Sequence, residues 1–293
     1  MTSEPENSGG PVEALAPPRL LAEGLTMVES GRWHEGRLWL AHWGSGEVLA
    51  IDLDGRTEVV APGPDGMGWS IDWLPDGALL VSGPALTRVD PDGSAVEYSA
   101  QGGNELVVHP AGHVYVNGAD FDFLGGGAPE PGWIRRIEAD GAARDVAGDI
   151  DFPNGMVITP DGSTLVIAES FAGRMSAFDI QADGSLTGRR VWADGLGPDG
   201  ISVDAGGGIW CQTADMPDPG DPSVPAGVVV RVLEGGTITH RVETELPCFS
   251  CAVGGPDGQH LFLLCNEFDG IDHLEAVLSR RSARVYVTEL PPL

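Results

Sequence analysis

Eleven dipeptides ending in glycine punctuate the chain: Glu35-Gly36, Asp54-Gly55, Asp76-Gly77, Asp92-Gly93, Ala111-Gly112, Asp140-Gly141, Asp161-Gly162, Asp183-Gly184, Ala205-Gly206, Gly235-Gly236 and Asp257-Gly258. Most neighbours are about 20 residues apart, which is the spacing of successive reversals between short strands. Asp-Gly suits the positive φ that tight hairpins demand, so each pair is expected to join two strands. Between the turns lie apolar runs of strand length: Arg37–Ala41, Ala78–Ser82, His113–Asn117, Thr164–Ala168, Gly208–Cys211 and His260–Leu264. Each follows a turn and is followed by a second hairpin. Two hairpins make a four-stranded unit of about 45 residues, and six such units fill about 270. The expected fold is therefore all-β: a six-bladed β-propeller with four antiparallel strands per blade, closed by a strand from Tyr286 to Leu290 pairing with the first blade. A β-sandwich does not need so many evenly spaced hairpins.

Two stretches break the rhythm. Residues 214–227 carry four prolines, which forbid regular pairing, and read as a long loop in the fifth blade. Residues 118–132 read as a similar loop in the third, and both are expected at one mouth of the channel. Met1 to Pro18 has neither a basic n-region nor an apolar h-region, so it reads as a flexible leader before a single domain spanning 19–293, in a cytoplasmic setting.

Acidic residues number 44 against 16 basic ones, a net charge of −28. That balance repels phosphate backbones and anionic lipid, so neither nucleic acid nor a membrane is an expected partner. A small-molecule substrate is, with a monomer or small homo-oligomer as the assembly. The four cysteines include Cys248-Phe-Ser-Cys251, but no second pair stands at a zinc-like distance, and they read as buried strand thiols. Among the histidines only His42, at the exit of a first-blade strand, is a site candidate; the others fall in turns or strand ends. No serine occupies a nucleophile elbow, which argues against a serine hydrolase.

Four polar residues stand where strands should start near the axis: Glu29, Asn104, Asn154 and Asp199. The last three each precede an apolar strand and then a turn, so they share one position in successive blades and should converge. Pro153-Asn154-Gly155 and Pro198-Asp199-Gly200 can equally be ordinary turns. Two carboxylates and two amide oxygens are hard donors that suit Ca²⁺, and Mg²⁺ or Mn²⁺ less specifically. Trp43, Trp69, Trp73 and Phe121 can line the channel or pack in the core. Asp120 and Asp122 can sit at its entrance, where Asp120 is a candidate substrate contact, or on an exposed loop face.

These segments resemble the SMP-30/gluconolactonase/luciferin-regenerating-enzyme family, also called regucalcin-like. The resemblance rests on Glu29-Ser-Gly-Arg-Trp33 with Leu38-Trp39, Phe152-Pro-Asn-Gly155, Pro198-Asp-Gly-Ile201 with Asp204–Trp210, and Cys251-Ala-Val-Gly-Gly255, in order across residues 19–290. It implies Glu29, Asn154 and Asp199 as ligands of one divalent ion, Ca²⁺ foremost and Mg²⁺, Mn²⁺ or Zn²⁺ as alternatives. It also implies Asn104 as a substrate contact and Asp199 as general base in a lactone or ester hydrolase. The alternatives are a metal-dependent isomerase, cyclase or lyase on the same scaffold, or a non-enzymatic calcium-binding regulator. One position departs from the family's sugar-lactone members, which often carry Arg where this chain has Gly102.

Overall fold

In the computed structural model, which describes residues 10–122, 126–213 and 226–292, the strands fall into six antiparallel four-stranded sheets. Blade one is Val28–His34, Arg37–His42, Glu47–Ile51 and Thr57–Pro62; blade two is Ile71–Trp73, Leu79–Val81, Leu86–Val89 and Ala95–Ser99. Blade three is Leu106–Val108, Val114–Gly118, Gly132–Ile137 and Ala143–Ile150; blade four is Pro153–Ile158, Thr164–Glu169, Arg174–Ile180 and Leu186–Asp194. Blade five is Ser202–Val203, Ile209–Gln212, Gly227–Val232 and Ile238–Thr244. Blade six takes Cys248–Gly254, His260–Cys265 and Ala283–Glu289 from the end of the chain. The first strands of consecutive blades touch in cyclic order, the sixth meeting the first, so the ring is closed.

Closure differs from the sequence expectation. Tyr286 lies in the third strand of blade six, and its edge is completed by Arg19–Leu25 from the other end of the chain, Arg19 opposite Val287 and Leu25 opposite Ala283. The strand therefore does not reach the first blade; the first strand of the barrel-like ring is preceded by a piece donated to the last. Upstream, Glu13–Ala14, within the segment assigned to a leader, pair parallel with His240 and Arg241 at the edge of blade five.

The hairpin chemistry is visible at nearly every predicted turn. At Asp76-Gly77, Gly77 N donates to Leu74 O at 2.9 Å and Ala78 N to Asp76 Oδ1 at 3.1 Å. Asp92, Asp140, Asp161, Asp183 and Asp257 accept in the same way from the residue two positions on. In these turns only the glycine has positive φ, which marks three-residue loops rather than two-residue ones. Glu35-Gly36 is the two-residue case, both residues at positive φ, and at Ala205-Gly206 the left-handed residue is Gly207.

Burial explains why the second strands lack alternation. Leu165 to Ala168 and Leu261 to Cys265 are fully buried because each blade has a neighbour on both faces. The buried apolar side chains form six clusters, each shared between two adjacent blades. The four cysteines belong to these packed layers as free buried thiols. Among the described residues one short α-helix, Leu274–Ser279, sits between the second and third strands of blade six and packs Val277 against blades one and two. No helix among the described residues is long and apolar enough to cross a membrane.

Candidate active site

The first strands of blades one and four begin irregularly, at the residues Glu29 and Asn154 that line the central cavity. In blade one the register slips between Glu29 and Arg32, and Ser30 adopts φ 53°. In blade four it slips between Pro153 and Met156, after Phe152 at φ 55°. Bulges of this kind redirect side chains, and non-glycine residues in the left-handed region are held there only by their surroundings. The glycines beside the ligand candidates are not turn glycines. Gly155 lies inside a strand, where a methyl group would come within 2.5 Å of Asp199 O, and one on Gly200 would come within 2.4 Å of Ser250 Oγ. Pro-Asn-Gly and Pro-Asp-Gly thus mark the close approach of neighbouring blades.

Glu29, Asn104, Asn154 and Asp199 all line one cavity of about 560 Å³. Its other surfaces are largely apolar: Met27, Trp43 and Met67, then Phe121 and Phe152, then Phe249 and Phe268. Of the four aromatic candidates, Trp43 and Phe121 reach it. Trp69 is core between blades one and two, and Trp73 stacks on His34 at 3.9 Å away from the cavity. Asp120 does not line it; its Oδ1 accepts from Trp133 Nε1 at 3.1 Å on the exposed side of the loop, whereas Asp122 does line it. His42 is buried outside the cavity, its Nε2 2.9 Å from Thr26 N. The stretch 214–225 and residues 123–125, parts of the two predicted loops, lie outside the described residues. At Gly102 a methyl group would lie 1.9 Å from Gly83 O, so the backbone of blade two fills the space a side chain would need.

A set of residues invisible to sequence reasoning holds these groups in place. At or within one residue of the end of its second strand each blade carries a buried polar side chain: His42, Ser82, Asn117, Glu169, Gln212 and Asn266. Gln212 Oε1 accepts from Asp199 N at 2.9 Å while its Nε2 donates to Gly200 O at 3.0 Å. Asn117 Nδ2 donates to Asn154 O at 2.6 Å, and Ser82 Oγ to Asn104 O at 2.9 Å. Asn266 brackets Val28, beside Glu29, accepting from its N–H at 2.9 Å and donating to its C=O at 3.0 Å. Side-chain amides with both a donor and an acceptor are suited to this two-ended grip on a peptide.

The charges are crowded and unbalanced. Burial pushes the Glu29 carboxyl well above its ordinary range, and repulsion from Asp199 and Glu105 adds to it, although Ser30 N–H and the Ser250 hydroxyl hydrogen-bond the carboxylate. Burial also raises Asp199 to about 7, with repulsion from Glu105 adding and a hydrogen bond from Asn154 opposing. Glu105 is raised to about 7 by burial, against the pull of Arg32, whose Nη2 lies 3.3 Å from its Oε2. No basic side chain lines the cavity among the described residues, and the remaining residues of the chain carry none.

Two carboxylates that repel each other with no basic side chain beside them form an electrostatic arrangement that a bound cation would relieve. Among the described residues no cluster of three or more His, Cys, Asp or Glu is arranged to hold a metal. The set here is instead two carboxylates and two amides. Its all-oxygen chemistry fits a hard divalent ion better than a thiolate- or imidazole-seeking one.

A search against known proteins agrees with this architecture. A pentonolactonase of Haloferax volcanii is 29% identical over 175 residues, 57% of this chain and 54% of that protein, so the match spans about half of the relative. A regucalcin from Agrobacterium tumefaciens, described as a calcium-binding protein, superposes with a TM-score of 0.71 at 21% identity, covering 97% of this chain and 99% of that one. A gluconolactonase from Xanthomonas campestris gives 0.68 at 21% identity, covering 96% and 98%. The model of the SMP-30/gluconolactonase/LRE-like region matches residues 86–266, more than half of the chain. The chain belongs to the SMP-30/gluconolactonase/LRE-like family.

Proposed function

We propose that the chain is a divalent-metal-dependent hydrolase of small lactones or related esters. The observation that carries this reading is the meeting of Glu29, buried, and Asp199, half-buried, in one cavity that no basic side chain reaches. Relatives named as a pentonolactonase and a gluconolactonase support the substrate class. Glu29, Asn154 and Asp199 are the residues that would hold the ion, with Ca²⁺ the first choice for oxygen donors and a relative described as calcium-binding. Bound there, a divalent ion supplies Lewis-acid polarisation of the lactone carbonyl and lowers the pKa of a water.

The chain's own groups divide the remaining work. Asp199 Oδ accepts a proton from the attacking water, whose oxygen adds to the carbonyl carbon. Collapse of the tetrahedral centre breaks the bond to the ring oxygen, and the proton held by Asp199 passes to that leaving oxygen. The products are one hydroxy acid for each lactone and water consumed. Asn154 keeps the Asp199 carboxyl oriented through its hydrogen bond, and Gln212 fixes the backbone on either side. The Asn104 amide lines the cavity with its Nδ2 only weakly held, 3.5 Å from Pro153 O, and would donate to a substrate oxygen. The test is a lactone and ester panel assayed after chelation with Ca²⁺, Mg²⁺, Mn²⁺ or Zn²⁺ restored in turn. Turnover restored by one ion and abolished by Asp199→Asn is the expected result; ion-independent turnover or an active variant overturns the reading.

A further inference from the structure

The lining of the cavity restricts which lactones or esters it is able to satisfy. A polyhydroxylated sugar lactone carries a hydroxyl on nearly every carbon, and each needs a partner when it leaves water. A site that fails to supply those partners rejects such a molecule strongly. Among the described residues the polar lining groups Glu29, Asn104, Asn154 and Asp199 form one patch, here called the floor, and are largely engaged. Asn154 O is taken by Asn117, Asn104 O by Ser82, and the Asn104 N–H by Asn117 O at 2.7 Å. The Asn154 side chain is hydrogen-bonded to Asp199. What remains on the floor is needed by the reacting carbonyl.

Among the described residues the rest of the lining is mostly side-chain carbon and sulfur, with Asp122 the charged exception. Trp43 has no donor to offer, since its Nε1 is committed to Trp69 O at 2.7 Å. Phe249 and Phe268 pack edge to face at 5.4 Å, and Phe121 and Phe152, also in the lining, lie 6.1 Å apart. The apolar surface continues out of the cavity: Phe268 is 38% exposed, and Phe171, 53% exposed, stacks on Phe152 at 4.1 Å. Large exposed aromatics grouped at the lip of a cavity mark a surface that receives apolar matter. Gly102 closes the remaining avenue, because the blade-two backbone leaves no room there for a polar side chain.

We propose that the cavity takes a lactone or ester bearing an apolar substituent, an aryl group or an alkyl chain, seated among Trp43, Phe152, Phe249 and Phe268, in preference to a polyhydroxylated sugar lactone. The inference rests on the hydrolase reading only for the reacting group; the preference for an apolar substituent stands on the cavity wall. Lactams, which mimic the ring and resist hydrolysis, separate the two. Calorimetry in the presence of Ca²⁺ would compare 6-phenylpiperidin-2-one with a polyhydroxylated aldonolactam, and turnover of the corresponding lactones would be measured in parallel. The phenyl lactam should bind about tenfold tighter or better, and Phe268→Ser, a partly exposed position, should narrow that gap at least about threefold. Equal binding, tighter binding of the aldonolactam, or no binding of the phenyl lactam overturns the inference. Tight phenyl-lactam binding with no turnover of either lactone overturns the hydrolase reading and leaves this one in place.

Discussion

Two groups of buried acids in this propeller have opposite surroundings. Glu169, at the end of a blade-four strand, is wholly buried, yet Arg174 and Arg189 stand 3.0 Å from its oxygens, with Ser176 and Asp151 N–H also donating. Burial alone would raise its pKa, but the Arg174 and Ser176 hydrogen bonds outweigh it and hold the carboxyl at about 2. Asp204 is likewise buried against Arg231 at 2.5 Å, with Trp210 Nε1 at 3.0 Å. Glu29 and Asp199 have hydrogen bonds but no basic partner in their cavity, and burial drives them the other way. Breaking a partnered buried acid leaves orphaned cations, whereas removing an unpartnered one relieves repulsion. Acids retained at a cost to the fold are the ones to suspect of function.

The sharpest way to break that contrast is Asp199→Asn. Turnover of a responsive lactone should fall by about three orders of magnitude or more, since the proton acceptor is lost. The thermal midpoint of the metal-free protein should hold or rise. Glu169→Gln should do the reverse, with turnover retained per folded molecule and stability lowered by about 3 kcal/mol in denaturant unfolding. If both variants lose stability alike, the two classes of acid are not distinct. Because its folded pKa is depressed, Glu169 contributes stability that is present above about pH 4.5 and is lost as pH falls through about 2. Acid unfolding of Glu169→Gln should accordingly lack that component, which a pH series of midpoints would reveal.

A cation supplies what the cavity lacks, so its effect is the next in size. At about 100 times its dissociation constant, added Ca²⁺ should stabilise the wild type by about 2.7 kcal/mol, following mass action. Glu29→Gln should lose most of that increment, and Glu169→Gln should keep all of it. Equal shifts in both variants would place the ion elsewhere.

How much of this was legible beforehand depends on whether the signal is local. The turns were, because Asp-Gly carries its own chemistry, and so were the second strands, whose unbroken apolar runs follow from burial on both faces. Glu29, Asn154 and Asp199 could be placed on one axis because each opens a blade. The closing strand could not: Arg19–Leu25 finds its partner more than 250 residues away, and nothing in its own composition names that partner. Trp43 and Trp69 look alike in sequence, yet the packing between blades one and two sends one to the cavity and the other to the core. Phe152 stands at the start of blade four while Phe249 and Phe268 belong to blade six, and only the closed ring assembles them. Gly155 looked like a turn residue because its neighbours fit a turn, while its real constraint is the backbone of the next blade.

The smallest expected effect concerns the polar strand ends, where the comparison is finest because Glu169 and Gln212 occupy the same position in adjacent blades. Glu169 binds arginines and Asp151 N–H; Gln212 grips the peptides flanking the Asp199 side chain. Replacing Gln212 by Leu removes both of its hydrogen bonds; Gly200 C=O keeps Cys251 N–H at 3.2 Å, but Asp199 N–H loses its acceptor, a loss of about 1–3 kcal/mol. His42→Leu, which frees Thr26 N–H, should cost about the same in stability. Only Gln212→Leu should also weaken Ca²⁺ binding, by about tenfold, because a ligand whose backbone drifts loses its geometry. Calorimetric titration of the two variants, matched for stability, distinguishes a residue that merely holds a blade together from one that aims Asp199. Matched affinities would reduce Gln212 to the structural role that His42 plays.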